Sequence, residues 1–184
     1  MNHHSDIPVK MKKTTFLLCS LVVSLTVCQA QNFVKIDEDA AIQLSSGWEN
    51  DPDLVAFPLV HVSENSRAGA ALSIVKEVPA EVEVDTLNDY TALKIELLSD
   101  TYPEFKPAPP KEGEVNGLAA NYFEGKAVIA DPQGIKIDSD LVLMTIQGKS
   151  HFYLVFGLLR KGSSAAAKAD LIKVIRTFQE RPQD

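Results

Sequence analysis

The chain has 184 residues, 45% of them hydrophobic and 23% charged, with 25 acidic against 18 basic side chains and a net charge of −7. That excess of carboxylate opposes docking on phosphate backbones or anionic lipid, so nucleic acid is excluded as an expected partner. The same charge keeps a globular domain in solution, which is the simpler reason for it.

In chain order, the first feature is an export signal counted from Met11. Lys12 and Lys13 precede an apolar core over 16–27, and the small-residue site Cys28-Gln29-Ala30 follows, so cleavage after Ala30 is expected. Residues 1–10 then form an upstream lead, and His3 and His4 carry no metal role. The apolar run is well short of the ~20 residues a membrane-spanning helix needs. The mature protein is therefore expected to be periplasmic or secreted, without a transmembrane segment. A lipid anchor on Cys28 is the alternative. It is disfavoured because Val27 stands where such signals want a small residue. Both cysteines, Cys19 and Cys28, belong to the signal, so the 154 residues left after cleavage contain no disulfide, thiolate ligand or cysteine nucleophile. Their 15 basic and 24 acidic residues leave a net charge of −9. One domain over 31–184 is long enough to bury a core without covalent staples.

Alternating apolar positions predict a first strand over 40–44, ended by Ser45-Ser46-Gly47. Two adjacent antiparallel strands over 54–62 and 69–78 follow, separated by the turn Ser63-Glu64-Asn65-Ser66. Pro58 marks an edge or bulge, because proline cannot donate to a ladder. Ala70, Leu72, Ile74 and Val78 share a face that Lys76 interrupts. From Thr86 the period changes to that of a helix over 87–99, with Leu87, Tyr90, Leu93, Leu97 and Leu98 inward and Thr91, Lys94 and Glu96 outward. Pro103, Pro107, Pro109 and Pro110 make 102–113 a loop. Strands over 117–128 and 135–146 flank the turn Asp131-Pro132-Gln133-Gly134. A hairpin at Gln147-Gly148-Lys149-Ser150 leads to the nearly all-apolar 151–159, a central strand covered on both faces. Gly162-Ser163-Ser164 opens a last helix carrying Ala167, Leu171, Val174, Ile175 and Phe178, with Lys168, Lys173 and Arg176 outside. The order specifies an α+β domain, a largely antiparallel sheet flanked by helices.

Four segments in this order resemble the PsbP-like group: Ile42-Gln43-Leu44-Ser45-Ser46-Gly47-Trp48, the 87–98 helix, Gly117-Leu118-Ala119-Ala120, and Val174-Ile175-Arg176-Thr177-Phe178. Relatives in that group include a Ran-binding yeast protein, DcrB-type envelope proteins and LpqN-like lipoproteins. The resemblance implies an α/β/α sandwich and an accessory or binding role, and it carries over no shared catalytic motif. Photosystem attachment, known for the photosynthetic members, has no support in these residues.

Taken residue by residue, the chain offers no catalytic assignment and no cofactor site. His61 and Glu64 are the nearest pair to a metal site, yet zinc wants three or four converging ligands. His151 reads as an ordinary strand-end residue. Asp37-Glu38-Asp39, Glu81 with Glu83, and Asp138 with Asp140 lack calcium-loop spacing and read as solvated charge. Serines 45, 46, 163 and 164 read as turn and cap residues, since no nucleophile elbow surrounds them. Tyr102 and Phe105 in the proline-rich loop, and Trp48 after the first strand, are the candidate interface aromatics. Trp48 also suits a lid on the core, the reading preferred for it. The function expected is therefore a non-enzymatic accessory domain binding an unidentified envelope protein. The alternatives are a carrier holding a small apolar ligand between the sheet and the 87–98 helix, and an uncharacterised hydrolase or metal-dependent enzyme working near His61 or His151.

Overall fold

The computed structural model describes residues 32–102, 104–130 and 134–181. The expected signal, its cleavage site and Cys28 lie outside those residues, as does most of the 131–134 turn.

The described chain opens with β1 (Asn32–Lys35) and β2 (Ala40–Leu44), paired antiparallel. Their turn is built by Asp37, whose Oδ1 accepts the N–H groups of Asp39 and Ala40 at 2.8 and 2.9 Å. Beyond Trp48, β3 (Glu49–Asn50), a 3₁₀ turn at Pro52–Leu54, β4 (Leu59–Asn65) and β5 (Ala70–Glu77) follow. Short α1 (Pro79–Val82) precedes α2 (Leu87–Thr101). Then come β6 (Lys106–Pro107), β7 (Lys111–Val115), β8 (Leu118–Ala130), β9 (Lys136–Gln147) and β10 (Phe152–Arg160). The last elements are α3 (Ala165–Ile175) and β11 (Gln179–Glu180).

Two sheets result. The larger has eight strands in the order β3-β4-β5-β10-β9-β8-β6, with β7 also on β8, and the smaller has the order β1-β2-β11. Each described pairing is antiparallel. β10 is central, as its apolar run requires, because a strand covered on both faces has no solvated side to give to polar residues. One face carries α2, whose Tyr90 stacks on Phe152 with ring centroids 4.7 Å apart. The other carries α3 and the small sheet, joined in a core of Ile42, Leu44, Leu72, Ile74, Tyr153, Val155, Leu171 and Phe178. Gly157 permits the close approach of α3, since a Cβ there would lie 2.9 Å from Leu171. The layers make an α/β/α sandwich.

Several boundaries differ from the sequence reading. Residues 54–58 are a turn and loop, and the strand begins at Leu59, after the cis Phe57–Pro58 bond. The pairing shifts between Leu59 and His61, a bulge beside Pro58. β4 also runs through 63–65, so the turn to β5 sits later, at 66–69. The proline-rich stretch is the sheet's edge rather than a free loop. Lys106 and Pro107 pair with Lys126 and Gly125, residues 111–115 pair with 118–122, and the Ala108 N–H donates to Glu124 O at 2.7 Å. Prolines are tolerated there because an edge strand has only one neighbour to bond. No helix among the described residues is long and apolar enough to cross a membrane.

Helix α2 starts where expected, with Thr86 Oγ1 accepting the Asp89 N–H at 3.1 Å. Its inward stripe differs: Thr91 and Lys94 are buried and Leu97 is exposed. The face that points inward is set by partners waiting on the sheet. Lys94 Nζ lies 2.6 Å from Glu77 of β5, and Thr91 Oγ1 is 2.7 Å from Thr145 Oγ1 of β9. Buried polar groups on two elements thus satisfy one another, a pairing invisible to hydrophobic periodicity.

Candidate interaction surface

Of the three aromatics singled out in the sequence, Trp48 and Phe105 are buried and Tyr102 is half-buried. Trp48 is 8% exposed and belongs to the core beside α3. Its indole donates to Asp170 Oδ2 at 2.8 Å while Ser45 Oγ donates to Asp170 Oδ1 at 2.7 Å, so one carboxylate ties the turn after β2 to α3. Phe105, 7% exposed, packs against Gly125, where any Cβ would collide with its ring. Tyr102 is half-buried against the same cluster, and its N–H closes the end of α2 on Leu98 O at 2.8 Å. Trp48 and Phe105 fill the interior, and Tyr102 packs on its margin.

Nor are the metal candidates brought together. His61 is 2% exposed and shares its face with Ser63, whose Oγ lies 3.3 Å from Nε2. Burial lowers its pKa to about 4, because a charged imidazolium would lose its hydration there. Glu64 points to the opposite, exposed side of β4 and accepts from Ser66 Oγ at 3.0 Å. Their odd spacing of three residues along the strand puts them on opposite faces. His151 lies far along the chain, in the turn before β10, with Nδ1 2.9 Å from Ser150 Oγ. Asp37 and Asp39, read from sequence as solvated, instead hold Lys76 of β5 at 2.8 and 2.6 Å and anchor the small sheet on the large one. Burial alone would lower the Lys76 pKa, but the hydrogen bonds and charges of the two aspartates outweigh it and hold it above its ordinary value.

Between the sheet and α2, where the sequence reading places an apolar ligand, Leu87, Tyr90, Phe123, Leu143 and Phe152 pack in one core cluster, and a groove of about 340 Å³ opens at the helix start beside Asn88 and Asn121. Beside the Tyr90–Phe152 stack, Tyr90 Oη donates to Glu77 Oε2 at 2.5 Å, and Asn121 Nδ2 donates to Thr91 and Asn88 at 3.0 and 2.8 Å. Burial, then the Glu77 carboxylate, pushes the Tyr90 phenol upward in pKa. Other open grooves lie along the large sheet. One of about 530 Å³ is lined by Lys106, Lys126, Lys161, Asp138 and Asp140. Another, about 590 Å³, is lined by Ala71, Ile129, Ile137 and Leu158, with Glu64 and Arg160 at its rim.

The most distinctive surface was read as strand in the sequence. The loop between β3 and β4 presents Leu54, Val55 and Phe57 at 58%, 40% and 68% exposure. Asp51 Oδ1 accepts the Asp53 N–H at 3.2 Å and starts the 3₁₀ turn, with Pro52 in its first position. Both ends are then pinned: Asp51 N–H to Val62 O at 2.9 Å, Leu59 N–H to Ala56 O at 2.8 Å, and Lys76 N–H to Pro58 O at 2.9 Å. The signals were present, since Asp51-Pro52-Asp53 is a turn signature and a residue before proline avoids helix. Nothing in the sequence said that the three apolar side chains between them would face out.

No family model matches the chain, and no curated protein matches it. The fold is nevertheless shared with solved structures. The chain is similar to PsbP of the cyanobacterium Synechocystis (CyanoP), with 12% identity and a TM-score of 0.55 over 77% of this chain and 86% of that one. It is similar to a Pseudomonas aeruginosa protein of unknown function, at 14% identity and TM-score 0.52, covering 83% of this chain and 99% of that one. A point mutant of protein Mog1 gives 14% identity and TM-score 0.57, with 81% and 95% covered. The chain therefore has a PsbP-like fold, as the sequence resemblance implied.

Proposed function

We propose that this protein is an exported accessory domain of the cell envelope that works by binding another protein. The observation that supports the reading is the pinned loop carrying Leu54, Val55 and Phe57 outward. Exposed apolar side chains scattered singly are ordinary, but three clustered on a braced turn favour a contact site. An export role rests on the lysine-led apolar segment after Met11. Affinity capture with the full chain from its own cells tests the binding reading, compared with a Phe57→Ser chain that melts at the same temperature. Repeated absence of any protein enriched by the unaltered chain would overturn it.

A second reading keeps an apolar ligand but moves it. The groove of about 590 Å³ lined by Ala71, Ile129, Ile137 and Leu158 supports it, since an apolar floor with a few charges at the rim suits a small hydrophobic molecule. Titration with a fluorescent apolar dye, in Ile137→Glu against unaltered protein, separates the two readings. Identical dye binding by both proteins would remove the carrier.

A further inference from the structure

We infer that the groove between β7 and the end of α3 is a binding site for a small organic anion, its charged head held by Lys111 and Arg176 and its apolar body laid on Ala120, Tyr122 and Met144. It shares no lining residue with the groove beside Ile137 and none with the loop that carries Phe57, so it stands or falls without them.

The groove has a volume of about 490 Å³, a size that suits small molecules. Its floor is the side of β7, β8 and β9 that belongs to the core under α3. Val115, Ala120 and Met144 are buried there and Tyr122 is half-buried. One end is built by the turn between β7 and β8, where Asn116 Nδ2 donates to Phe178 O at 2.7 Å and ties the hairpin to the chain leaving α3. Gly113 lies opposite Ala120 in the ladder, and a Cβ on it would meet no atom within 4 Å. The glycine thus leaves open the space that a side chain would take from a ligand.

The charges carry the choice of ligand. Lys111 lies opposite Tyr122 and so on the groove side of β7, whereas Glu112 and Glu114 alternate to the other side. Glu112 accordingly accepts from Asn88 of α2 at 3.4 Å, on the far face of the sheet. Glu124 shares the groove's face but is already engaged, accepting from Lys168 Nζ at 2.5 Å and from Tyr122 Oη at 2.6 Å. Burial alone would raise its pKa, but those two partners and the Lys111 charge hold it below its ordinary value. Burial and then Glu124 push the Tyr122 phenol up, while the Arg176 guanidinium draws it down, so that cation also stands near the ring. Neither Lys111 nor Arg176 forms an ion pair among the described residues. In a chain of net charge −7, two unpaired cations therefore meet over an apolar floor. An anionic head answers both through charge-assisted hydrogen bonds, and a ring or short alkyl body covers the floor. A cationic molecule would be repelled by the same two groups.

The test follows the amide signals of the nitrogen-15-labelled full chain during titration with phenyl phosphate, phenylacetate, phenethylamine and inorganic phosphate. One or both of the organic anions are expected to shift Gly113, Ala120 and Arg176 saturably, and the tighter of the two identifies the head as phosphate or carboxylate. Phenethylamine, which has the wrong charge, and inorganic phosphate, which has no ring, are expected to bind about tenfold more weakly or worse. Lys111→Gln combined with Arg176→Gln should weaken the tighter anion by about tenfold, as should raised salt in the unaltered chain. Gly113→Trp should close the groove to it. Should that variant melt early, the double glutamine variant, which alters two exposed side chains, carries the test. No shift at these three positions, equal binding of phenethylamine or of inorganic phosphate, or an affinity indifferent to the lost cations would overturn the inference.

Discussion

His61 shows how one buried side chain couples the protein to its surroundings. Its folded pKa is about 4 against an ordinary 6.5, so between those values the unfolded chain takes up a proton that the folded chain refuses. Stability should consequently fall as pH drops from 6.5 towards 4 and level off above 6.5, by at most about 3 kcal/mol. Urea melts of the unaltered protein and His61→Gln across that range check it, and the variant should lose that part of the slope. Phe105 with Gly125 is a second residue-scale case. Phe105→Ala should cost roughly 3 kcal/mol by leaving a cavity over the sheet. Gly125→Val should cost about 1–3 kcal/mol or more by overfilling the same place. Thermal unfolding reads both. The sequence marked Phe105 as important for the wrong reason: its composition-poor, proline-rich setting suggested exposure, whereas edge pairing of residues 106–107 with β8 folds the ring under.

At the scale of elements, the helices were the most legible part and their buried faces the least. Thr86 and Ser164 announced both N-caps, and Thr86→Ala should cost about 1 kcal/mol, measured by chemical denaturation. Periodicity could place α2 because a helix repeats, but it misassigned Thr91, Lys94 and Leu97. Only the sheet supplies Thr145 and Glu77 to meet those side chains, and no local window contains them. Lys94→Met should accordingly leave the Glu77 carboxylate half-buried and short of a cation, destabilising the fold more than an exposed lysine would. Restoring neutrality with Glu77→Gln in the same chain should recover part of the loss, which a double-mutant cycle would read. The strands divide similarly. β5, β9 and β10 were legible as apolar runs, while β6 and β7 were hidden by prolines and by Lys111, Glu112 and Glu114, a composition that an outermost strand tolerates.

At the scale of the whole molecule, sequence gave the α+β class and the central strand, and the structural similarities to CyanoP and Mog1 agree with it. What it could not give was the division into two sheets. The strand over 40–44 reads like any other, yet it pairs with neither β3 nor β4. Its attachment depends on Lys76 reaching Asp37 and Asp39, an arrangement spread over some forty residues of chain. Lys76→Met should loosen the small sheet while sparing the large one, seen as faster hydrogen exchange in residues 40–44 than in 152–160. The candidate surface was missed on similar grounds. Leu54, Val55 and Phe57 look like strand residues until the sheet is assembled without them.

The small sheet also imposes an order of events. β2 is flanked by β1, which is local, and by β11, which lies near the end of the chain; the Gln43 N–H likewise bonds to Thr177, and Trp48 to Asp170. Before residues 170–180 are made, the β1–β2 pair has Lys76 of β5 as a long-range partner but lacks its third strand, and a lone two-stranded hairpin is marginal in water. The small sheet joins residues 40–41 to residues 179–180. A nascent chain of this design completes that sheet only after β11 has emerged.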